Sequence, residues 1–212
     1  MDSQLSWQPP SAAADNTIIE LASTVIDQIA AGEVVERPAS VIKELVENAF
    51  DAQASNVEVH IRSGGLEEIR IEDDGFGMGP EDARLCFKRH ATSKLRSLED
   101  LMRLNSFGFR GEALSSIASV AKMHIATRRA QDSAGTHIEV VGGTLEDISA
   151  VGRGIGTSIR VKELFFNTPA RRKFMRSAAT EQAHIIRALQ QVALGRPGVG
   201  VKLSNEKRTL LD

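Results

Sequence analysis

The chain has 212 residues, 42% of them hydrophobic, and its 26 basic and 28 acidic side chains leave a formal net charge of −2. This composition is typical of one large globular domain, or of one domain and the start of another, and excludes a disordered chain. The near-neutral charge excludes a positive field over the whole molecule, so any contact with nucleic acid requires a local patch.

Cysteine, histidine and apolar patterning exclude further classes. The single cysteine, Cys86, cannot form an internal disulfide, and no Cys/His group has metal-ligand spacing, which excludes zinc and iron–sulfur roles. The N-terminus is polar, and no apolar run approaches the ~20 residues that cross a bilayer. These features predict a soluble cytosolic protein without a membrane partner.

The first half of the chain is predicted to contain two helices followed by a hairpin. Residues 1–16 show no periodicity and are expected to form a flexible tail. Apolar residues at helical spacing follow Ile18, and Pro38 suits the first turn of a second helix. Alternating strands at 57–61 and 66–71 flank Gly64-Gly65, and a glycine-rich loop then leads into a short helix that starts at Pro80.

The second half is predicted to be a strand meander closed by a helix. A helix from Glu112 to about Ala118 precedes strands near 121–128, 136–141, 144–150 and 157–162. Residues 180–194 are amphipathic, and residues 198–212 resemble a hairpin. Short turns between strands and helices gathered in blocks predict an α+β sandwich, in which helices cover one face of a largely antiparallel sheet.

The helix that starts at Pro38 carries the first candidate site. On a helical wheel its apolar residues share one arc, and Glu44, Glu47, Asn48 and Asp51 share the opposite arc. Like charges at this spacing repel by a few tenths of a kcal/mol per pair, which suggests a role involving a cation or a proton. A solvated acidic face near the helix N-terminus is the alternative interpretation.

The second candidate site is Asp73, which ends a predicted strand and is followed by Gly75 and Gly77. Such a pattern can form a simple turn. Alternatively, Asp73 accepts a hydrogen bond from an exocyclic amine such as that of adenine, and the glycines let the ring lie against backbone.

The third candidate site is the segment Gly108–Gly111, which runs into the helix at Glu112. Glycines before a helix N-terminus can direct backbone N–H groups at phosphate. Thr92, Ser93 and Lys94 could add hydroxyl groups and a positive charge to the same phosphates. Hinge glycines and a surface loop are the alternative interpretations of these two segments.

In combination, these motifs resemble the GHKL ATPases, which comprise gyrase B subunits, Hsp90 chaperones, sensor histidine kinases and MutL mismatch-repair proteins. Within that superfamily five blocks are similar to MutL signatures: residues 28–38, 43–48, 89–94, 108–114 and 166–174. The resemblance covers about residues 18–212. It implies a Bergerat fold, in which a mixed, mostly antiparallel sheet has helices on one face and ATP lies between these helices and a flexible lid.

The resemblance also implies a role for each matching residue. Glu44 would be the general base that activates water, and Asn48 would be the Mg²⁺ ligand. Asp73 would read adenine, with Gly77 lining the base pocket and Thr157 supporting both. The remaining implied ATP-binding residues are Ala52, Thr92, Ser93, Lys94, Gly108, Arg110, Gly111, Glu112, Ala113 and Leu114.

Three positions depart from the family pattern. Phe50 and Gln53 stand where relatives usually have Leu and Gly, and Asp74 stands where they often have Asn. Phe50 lies on the apolar arc and is expected to be buried, whereas Gln53 could alter the end of its helix. Asp74 is expected to leave the role of Asp73 intact.

The predicted organisation is a tail at 1–16, an ATPase domain at 17–197 and the start of a second, transducer domain at 198–212. In MutL proteins that second domain contributes a lysine to the γ-phosphate, so we expect ATP binding here with very slow turnover. The resemblance implies an ATP-gated dimerising clamp that couples mismatch recognition by MutS to a downstream nuclease or helicase. It also implies a bacterial, nucleoid-associated cytoplasmic location, or a nuclear one in a eukaryote.

The sequence has one dense basic run, which consists of Arg171, Arg172, Lys173 and Arg176. They predict a weak, salt-sensitive DNA contact, or alternatively a solvated or internally paired helix face. Two other functions compete with the clamp. One is a nucleotide-gated interaction module without useful hydrolysis, and the other is a histidine kinase catalytic domain. The kinase is disfavoured because such domains lack the block at 166–174.

Overall fold

The structure is a computed structural model that describes residues 20–88, 91 and 112–212. Its helices are α1 (Ser23–Val34), α2 (Pro38–Asp51), α3 (Pro80–Leu85), α4 (Ala113–Ser119), α5 (Pro169–Phe174) and α6 (Ala178–Leu194). Its strands are β1 (Asn56–Arg62), β2 (Glu68–Asp73), β3 (Lys122–Arg128), β4 (Gly135–Val141), β5 (Thr144–Val151), β6 (Gly156–Lys162), β7 (Gly200–Asn205) and β8 (Thr209–Leu211).

The strands form one eight-stranded sheet in the order β5-β4-β3-β6-β2-β1-β7-β8. Every neighbouring pair is antiparallel except β1 and β7, which run parallel. The predicted α+β class with a mixed, mostly antiparallel sheet is therefore confirmed. The order also places β6 between β2 and β3, which brings together strands that are far apart in the chain.

Period-two alternation gives the central strands one apolar and one polar face. Ile69 and Ile71 of β2, Ile125 of β3 and Ile159 of β6 are buried on the face that α2, α4 and α6 cover. Together with the apolar arc of α2 they form one continuous core. The polar face carries the alternate residues, so the molecule has two layers, as predicted.

Helix α2 positions most of the first candidate site. Pro38 occupies its first turn, where the missing N–H leaves no hydrogen bond unmade. Phe50 is 4% exposed, which confirms its expected burial. At the C-terminal end, Gln53 donates to the Phe50 carbonyl group and Ala54 donates to that of Ala49, with Gln53 at φ 59°. This is a Schellman cap in which glutamine holds the left-handed position that usually favours glycine.

The two ends of the chain differ in what the structure describes. The predicted tail at 1–16 lies outside the described residues. Residues 200–211 form β7 and β8, and β7 pairs with β1 over Gly200 to Asn205, so this segment extends the common sheet. In the described ranges no helix has the length and apolar character needed to span a membrane.

Candidate nucleotide site

The register of the sheet brings Asp73 to Thr157 and Thr127. Asp73 ends β2 directly opposite Thr157 of β6, which in turn lies opposite Thr127 of β3. The hydroxyl groups of the two threonines are 3.1 Å apart, and that of Thr127 accepts the Met78 N–H at 2.8 Å. Thr127, which the sequence analysis did not name, therefore lies together with Thr157 at the end of β2.

The Asp73 carboxyl group is largely withdrawn from water. Burial raises its pKa above the ordinary value, and hydrogen bonds from the Gly75 and Thr157 backbone N–H groups and the charge of Arg153 offset part of that rise. The Gly75 N–H lies 3.0 Å from Asp73 Oδ1. A carboxylate in such surroundings gains by accepting a further hydrogen bond from an amine.

Arg153 reaches this group from the β5–β6 connection and was not predicted. Its guanidinium group donates to the Ala126 carbonyl oxygen. Burial lowers its pKa, and the charges of Asp73 and Glu72 oppose that fall. The sequence offered no signal for this contact because it depends on the crossover that places β6 beside β3.

The loop after Asp73 packs closely on its surroundings, which explains its glycines. A Cβ on Gly75 would lie 2.6 Å from the Ala52 carbonyl oxygen. Gly77 has φ +69°, and a Cβ there would overlap the Arg128 carbonyl oxygen. The Phe76 N–H donates to the Ala52 carbonyl oxygen at 3.0 Å. The loop is thus bound to the C-terminal end of α2.

This junction places the second candidate site beside the first. Ala52 follows α2 directly, and Asn48 and Glu44 lie one and two turns before it on the same side of the helix. Glu44 is half-buried, and no described residue forms an ion pair or hydrogen bond with its carboxylate group. Glu47, by contrast, is buried and lies 3.9 Å from the Lys43 ammonium group. The two glutamates of the acidic arc therefore differ in availability.

Asp74 faces away from this arrangement. Its carboxylate accepts hydrogen bonds from the Ser55 and Asn56 backbone N–H groups at 2.7 and 2.9 Å and from the Asn56 side chain at 2.8 Å. Desolvation acts in the opposite direction, but these hydrogen bonds lower the pKa of Asp74 overall. Its hydrogen bonds run to the start of β1, although its charge contributes to raising the pKa of Asp73.

The phosphate end of the prediction is described only in part. Glu112 occupies the N-cap position of α4, with Ala113 and Leu114 in the first turn. A cavity of about 240 Å³ opens there. Its lining residues are Ala30, Phe87, Lys88, Glu112, Ser115, Ser116, Ser119 and Gly143, and Asp73 is not among them. The predicted lid residues Thr92, Ser93, Lys94, Gly108, Arg110 and Gly111 lie outside the described residues.

The basic run divides into contacts of different kinds. Arg171 lies against α1, with Nη2 3.4 Å from the Ile29 carbonyl oxygen, and occupies the space where Gly32 would carry a Cβ. Arg172 and Lys173 are exposed on α5. Arg176 is exposed, and its backbone N–H donates to the buried Glu181. Of the two sequence-based interpretations, an internal contact therefore applies to Arg171.

The described ranges contain no cluster of three or more His, Cys, Asp or Glu side chains that could hold a metal ion. Within those ranges, the Asn48 amide oxygen is the donor that the sequence analysis assigned to Mg²⁺. This donor set fits an ion held by the Asn48 amide oxygen together with phosphate oxygens and water, because Mg²⁺ commonly keeps several waters and uses few protein ligands.

Comparison with known proteins identifies the class. Residues 36–147 match the family described as histidine kinase-, DNA gyrase B-, and HSP90-like ATPase. The chain belongs to this ATPase family. Within it, the chain is similar to the ATPase region of the DNA mismatch repair protein MutL, so the predicted resemblance is confirmed.

The relatives that support this statement are bacterial. MutL of Anaeromyxobacter dehalogenans is 52% identical over 187 residues, which cover 88% of this chain and 31% of the relative. MutL of Koribacter versatilis is 50% identical over 191 residues, covering 90% of this chain and 30% of the relative. The Aquifex aeolicus MutL ATPase domain complexed with ADP superposes with a TM-score of 0.68 at 36% identity, covering 84% of this chain and 63% of that one. The chain thus spans about a third of the length of these curated relatives.

Proposed function

We propose that this chain binds ATP between α2 and the end of β2, and hydrolyses it with Mg²⁺, as the ATPase region of a MutL-type mismatch repair protein. The observation that carries the proposal is the hydrogen bond from the Phe76 N–H to the Ala52 carbonyl oxygen. It holds the loop that follows Asp73 against the helix that carries Glu44 and Asn48. One site can then bind the base and the phosphates of a single nucleotide.

Asp73 is proposed to read adenine. Its carboxylate accepts the exocyclic amine, while the loop at Gly75 and Gly77 brings backbone close enough for the ring to lie against it. Thr157 and Thr127 hold the strand ends in place beneath the base. A purine with a carbonyl oxygen in place of the exocyclic amine would bind poorly, because that oxygen and the Asp73 carboxylate are both hydrogen-bond acceptors.

Glu44 is proposed to be the general base. Its carboxylate is half-buried and has no described partner, whereas Glu47 lies near Lys43. Glu44 lies one turn before Asn48, so it could take a proton from a water near the γ-phosphate. A Mg²⁺ ion bound at Asn48 would neutralise phosphate charge. The α4 N-terminus, with Glu112, Ala113 and Leu114, is proposed to lie beside the phosphates together with the lid residues.

Binding of a non-hydrolysable ATP analogue, with and without Mg²⁺, tests these roles. Asp73→Ala is expected to abolish binding, and Glu44→Ala to retain binding while losing turnover of ATP. Glu47→Gln is the matched control on the same helix and is expected to retain both. Binding by Asp73→Ala at wild-type affinity, or turnover by Glu44→Ala at the wild-type rate, would contradict the assignment.

ATP-dependent self-association is proposed to use α1. Three apolar residues of α1 are between 40% and 58% exposed: Val25, Ile26 and Ile29. Leu21, just before the helix, is 44% exposed. Such an apolar patch is a candidate interaction surface. We expect light scattering to show a mass increase with the ATP analogue that Ile29→Glu abolishes. Leu194→Glu is the control, because Leu194 is 82% exposed on α6. An unchanged mass for wild type with bound nucleotide would exclude the clamp in this chain.

Coupling to a MutS-type sensor and to a downstream nuclease or helicase is proposed because the curated relatives are DNA mismatch repair proteins. A bacterial, nucleoid-associated location follows from that proposal. Arg172, Lys173 and Arg176 are proposed as a weak electrostatic DNA contact. Co-sedimentation with MutS on mismatched DNA, with and without the ATP analogue, tests the coupling. If the chain did not co-sediment with MutS on mismatched DNA in either the presence or the absence of the ATP analogue, the coupling would be contradicted.

A further inference from the structure

The polar face of the sheet carries an alignment of basic side chains that the nucleotide site does not use. Arg160 of β6 lies directly opposite Arg70 of β2 on one side and His124 of β3 on the other. Lys162, two residues further along β6, lies directly opposite Lys122 of β3. We call these five side chains the basic stripe. They lie on the strand positions that alternate with the buried isoleucines.

Carboxylates border the basic stripe rather than neutralising its centre. Within the described ranges, Arg160 and Lys162 have no carboxylate at ion-pair distance, although Glu68 is the residue opposite Lys162 on β2. The other members each have one acidic neighbour: Lys122 with Glu163 at 2.7 Å, His124 with Glu139 at 3.9 Å and Arg70 with Glu72 at 3.7 Å. Strands β3 and β6 themselves carry no Asp or Glu.

This arrangement is unfavourable for the sheet alone. Like charges at directly opposite positions destabilise a strand pair. Arg160 faces Arg70 of β2, and Lys162 faces Lys122 of β3. Burial lowers the pKa of His124, so the repulsion comes from these two pairs. A chain with a net charge of −2 has enough acidic residues to separate them. A polyanion that lies across β2, β6 and β3 would remove the repulsion.

The geometry of the stripe favours a particular polyanion. Residues two apart on a strand are separated by roughly 6.6–6.8 Å, and neighbouring strands by about 4.8 Å, so the stripe is a regular two-dimensional grid of charge. A nucleic acid duplex presents about one phosphate charge per 1.7 Å of its axis. Strands β2, β3 and β6 carry no Phe, Tyr or Trp on which unpaired bases could stack. The half-buried Phe166 ring lies beside the stripe, but the Lys122 ammonium group covers it, 5.6 Å from the ring centroid.

We propose that the basic stripe binds the phosphodiester backbone of a double-stranded nucleic acid, independently of sequence. It lies on the face of the sheet opposite α2, α4 and α6. Helix α5 contacts α1 through Arg171, and α1 packs on α4, so the basic run of α5 belongs to the helical side. The stripe is therefore separate from both the nucleotide site and that run.

The test is anisotropy titration of a short labelled DNA duplex, without nucleotide, across roughly 50 to 200 mM salt. Arg160→Gln with Lys162→Gln is expected to weaken binding roughly tenfold at the low-salt end and to reduce the slope of log affinity against log salt by about 2. The matched control removes two exposed charges elsewhere, with Arg187→Gln and Lys207→Gln, and is expected to keep the wild-type slope.

Several outcomes would overturn the proposal. These are an equal loss in the control, an unchanged slope in the stripe variant, and no duplex binding by the wild-type chain at low salt. A poly-glutamate peptide that competes as well as the duplex would assign the stripe to acidic proteins instead. The stripe variant is expected to melt no lower than wild type, because it removes like-charge pairs. A lower melting temperature would show that these pairs serve the fold.

Because the titration contains no nucleotide, its result is independent of ATP binding. Loss of duplex binding with intact binding of the ATP analogue is the expected pattern for the stripe variant. Failure of the analogue to bind wild type would contradict the proposed function and leave the stripe result standing.

Discussion

The side-chain hydroxyl groups of Thr127 and Thr157 lie 3.1 Å apart on the adjacent strands β3 and β6. Thr157 is in turn the residue directly opposite Asp73, which ends β2. Thr127 is fully buried and also accepts the Met78 N–H. One hydroxyl group therefore connects β3, β6 and the loop that follows Asp73.

Thr127→Val removes that hydroxyl group at almost constant shape. The Met78 N–H then lacks its partner, so we expect a loss of about 1–3 kcal/mol in the free energy of unfolding. The affinity for the ATP analogue should fall as well, because the loop and Thr157 lose a shared support. Chemical denaturation and calorimetry measure the two effects. Thr127→Ser keeps the hydroxyl group and should retain most of the affinity; equal losses in both variants would contradict this explanation.

Gly77→Ala tests the close approach of the loop to β3. The new Cβ would overlap the Arg128 carbonyl oxygen at a backbone φ of +69°, so we expect roughly 2 kcal/mol or more of destabilisation and loss of nucleotide binding. Gly154→Ala is the matched control, because a Cβ on Gly154 meets no atom within 4 Å. Thermal melts of both variants decide the matter, and a wild-type melt for Gly77→Ala would contradict the prediction.

Asp73 and Asp74 should respond to pH with opposite signs. Burial raises the pKa of Asp73, so the folded state loses stability as the pH rises through that pKa and the carboxyl group ionises. Asp73→Asn should therefore raise the melting temperature of the nucleotide-free chain at pH 7. The gain should shrink as the pH is lowered toward the ordinary value of 3.8, where the wild-type carboxyl group is also neutral.

For Asp74 the sign is reversed. Although desolvation opposes the shift, hydrogen bonds from Asn56 and Ser55 lower its pKa, so its contribution to stability is present above the ordinary value and disappears as the pH falls through the lowered one. Asp74→Asn should lower the melting temperature at pH 7, by a small amount because the group is exposed. Melting temperatures of both variants and wild type, measured between pH 4 and pH 7, test this pair of predictions. A shift of both variants in the same direction relative to wild type would contradict them.

Gln53→Gly should stabilise the protein. Gln53 holds φ 59° in the cap of α2, where a side chain costs energy that glycine avoids. Folding glycine loses more backbone entropy than folding glutamine, which offsets part of this gain. We therefore expect a net stabilisation of about 0.5–1 kcal/mol, or roughly 1–4 °C in the melting temperature. Gln53→Ala keeps the strain and should show no gain. A melting temperature that rises equally in both variants would exclude relief of strain as the cause.

Arg171 and Arg172 are adjacent in the chain but should behave differently. Arg171→Ala removes the guanidinium group that lies on α1 near Ile29 and Gly32, so α1 should show faster hydrogen exchange and the melting temperature should fall. Arg172→Ala removes an exposed charge and should leave both unchanged while weakening DNA binding at low salt. Identical exchange of α1 in the two variants would contradict the separation.

Much of the candidate site could be predicted from local pattern. The helical arc of α2 identified Phe50 as buried and placed Glu44 and Asn48 together, because side chains one turn apart share a face wherever the helix lies. The carboxylate and glycines at Asp73 indicated a close backbone approach for the same local reason. What these residues could not specify was which of Glu44 and Glu47 remains available, since both belong to the same arc.

The sequence by itself determined the elements, their buried faces and the resemblance to MutL-type ATPases, because periodicity and motif order are properties of consecutive residues. Only the tertiary structure decided that β6 lies between β2 and β3, and with it the contact of Thr127 with Thr157, the approach of Arg153 to Asp73 and the alignment of the basic stripe. Alternation assigns a residue to a face of the sheet but does not name its neighbours on other strands. Those neighbours follow from strand order and register, which are set by long-range pairing of the whole sheet.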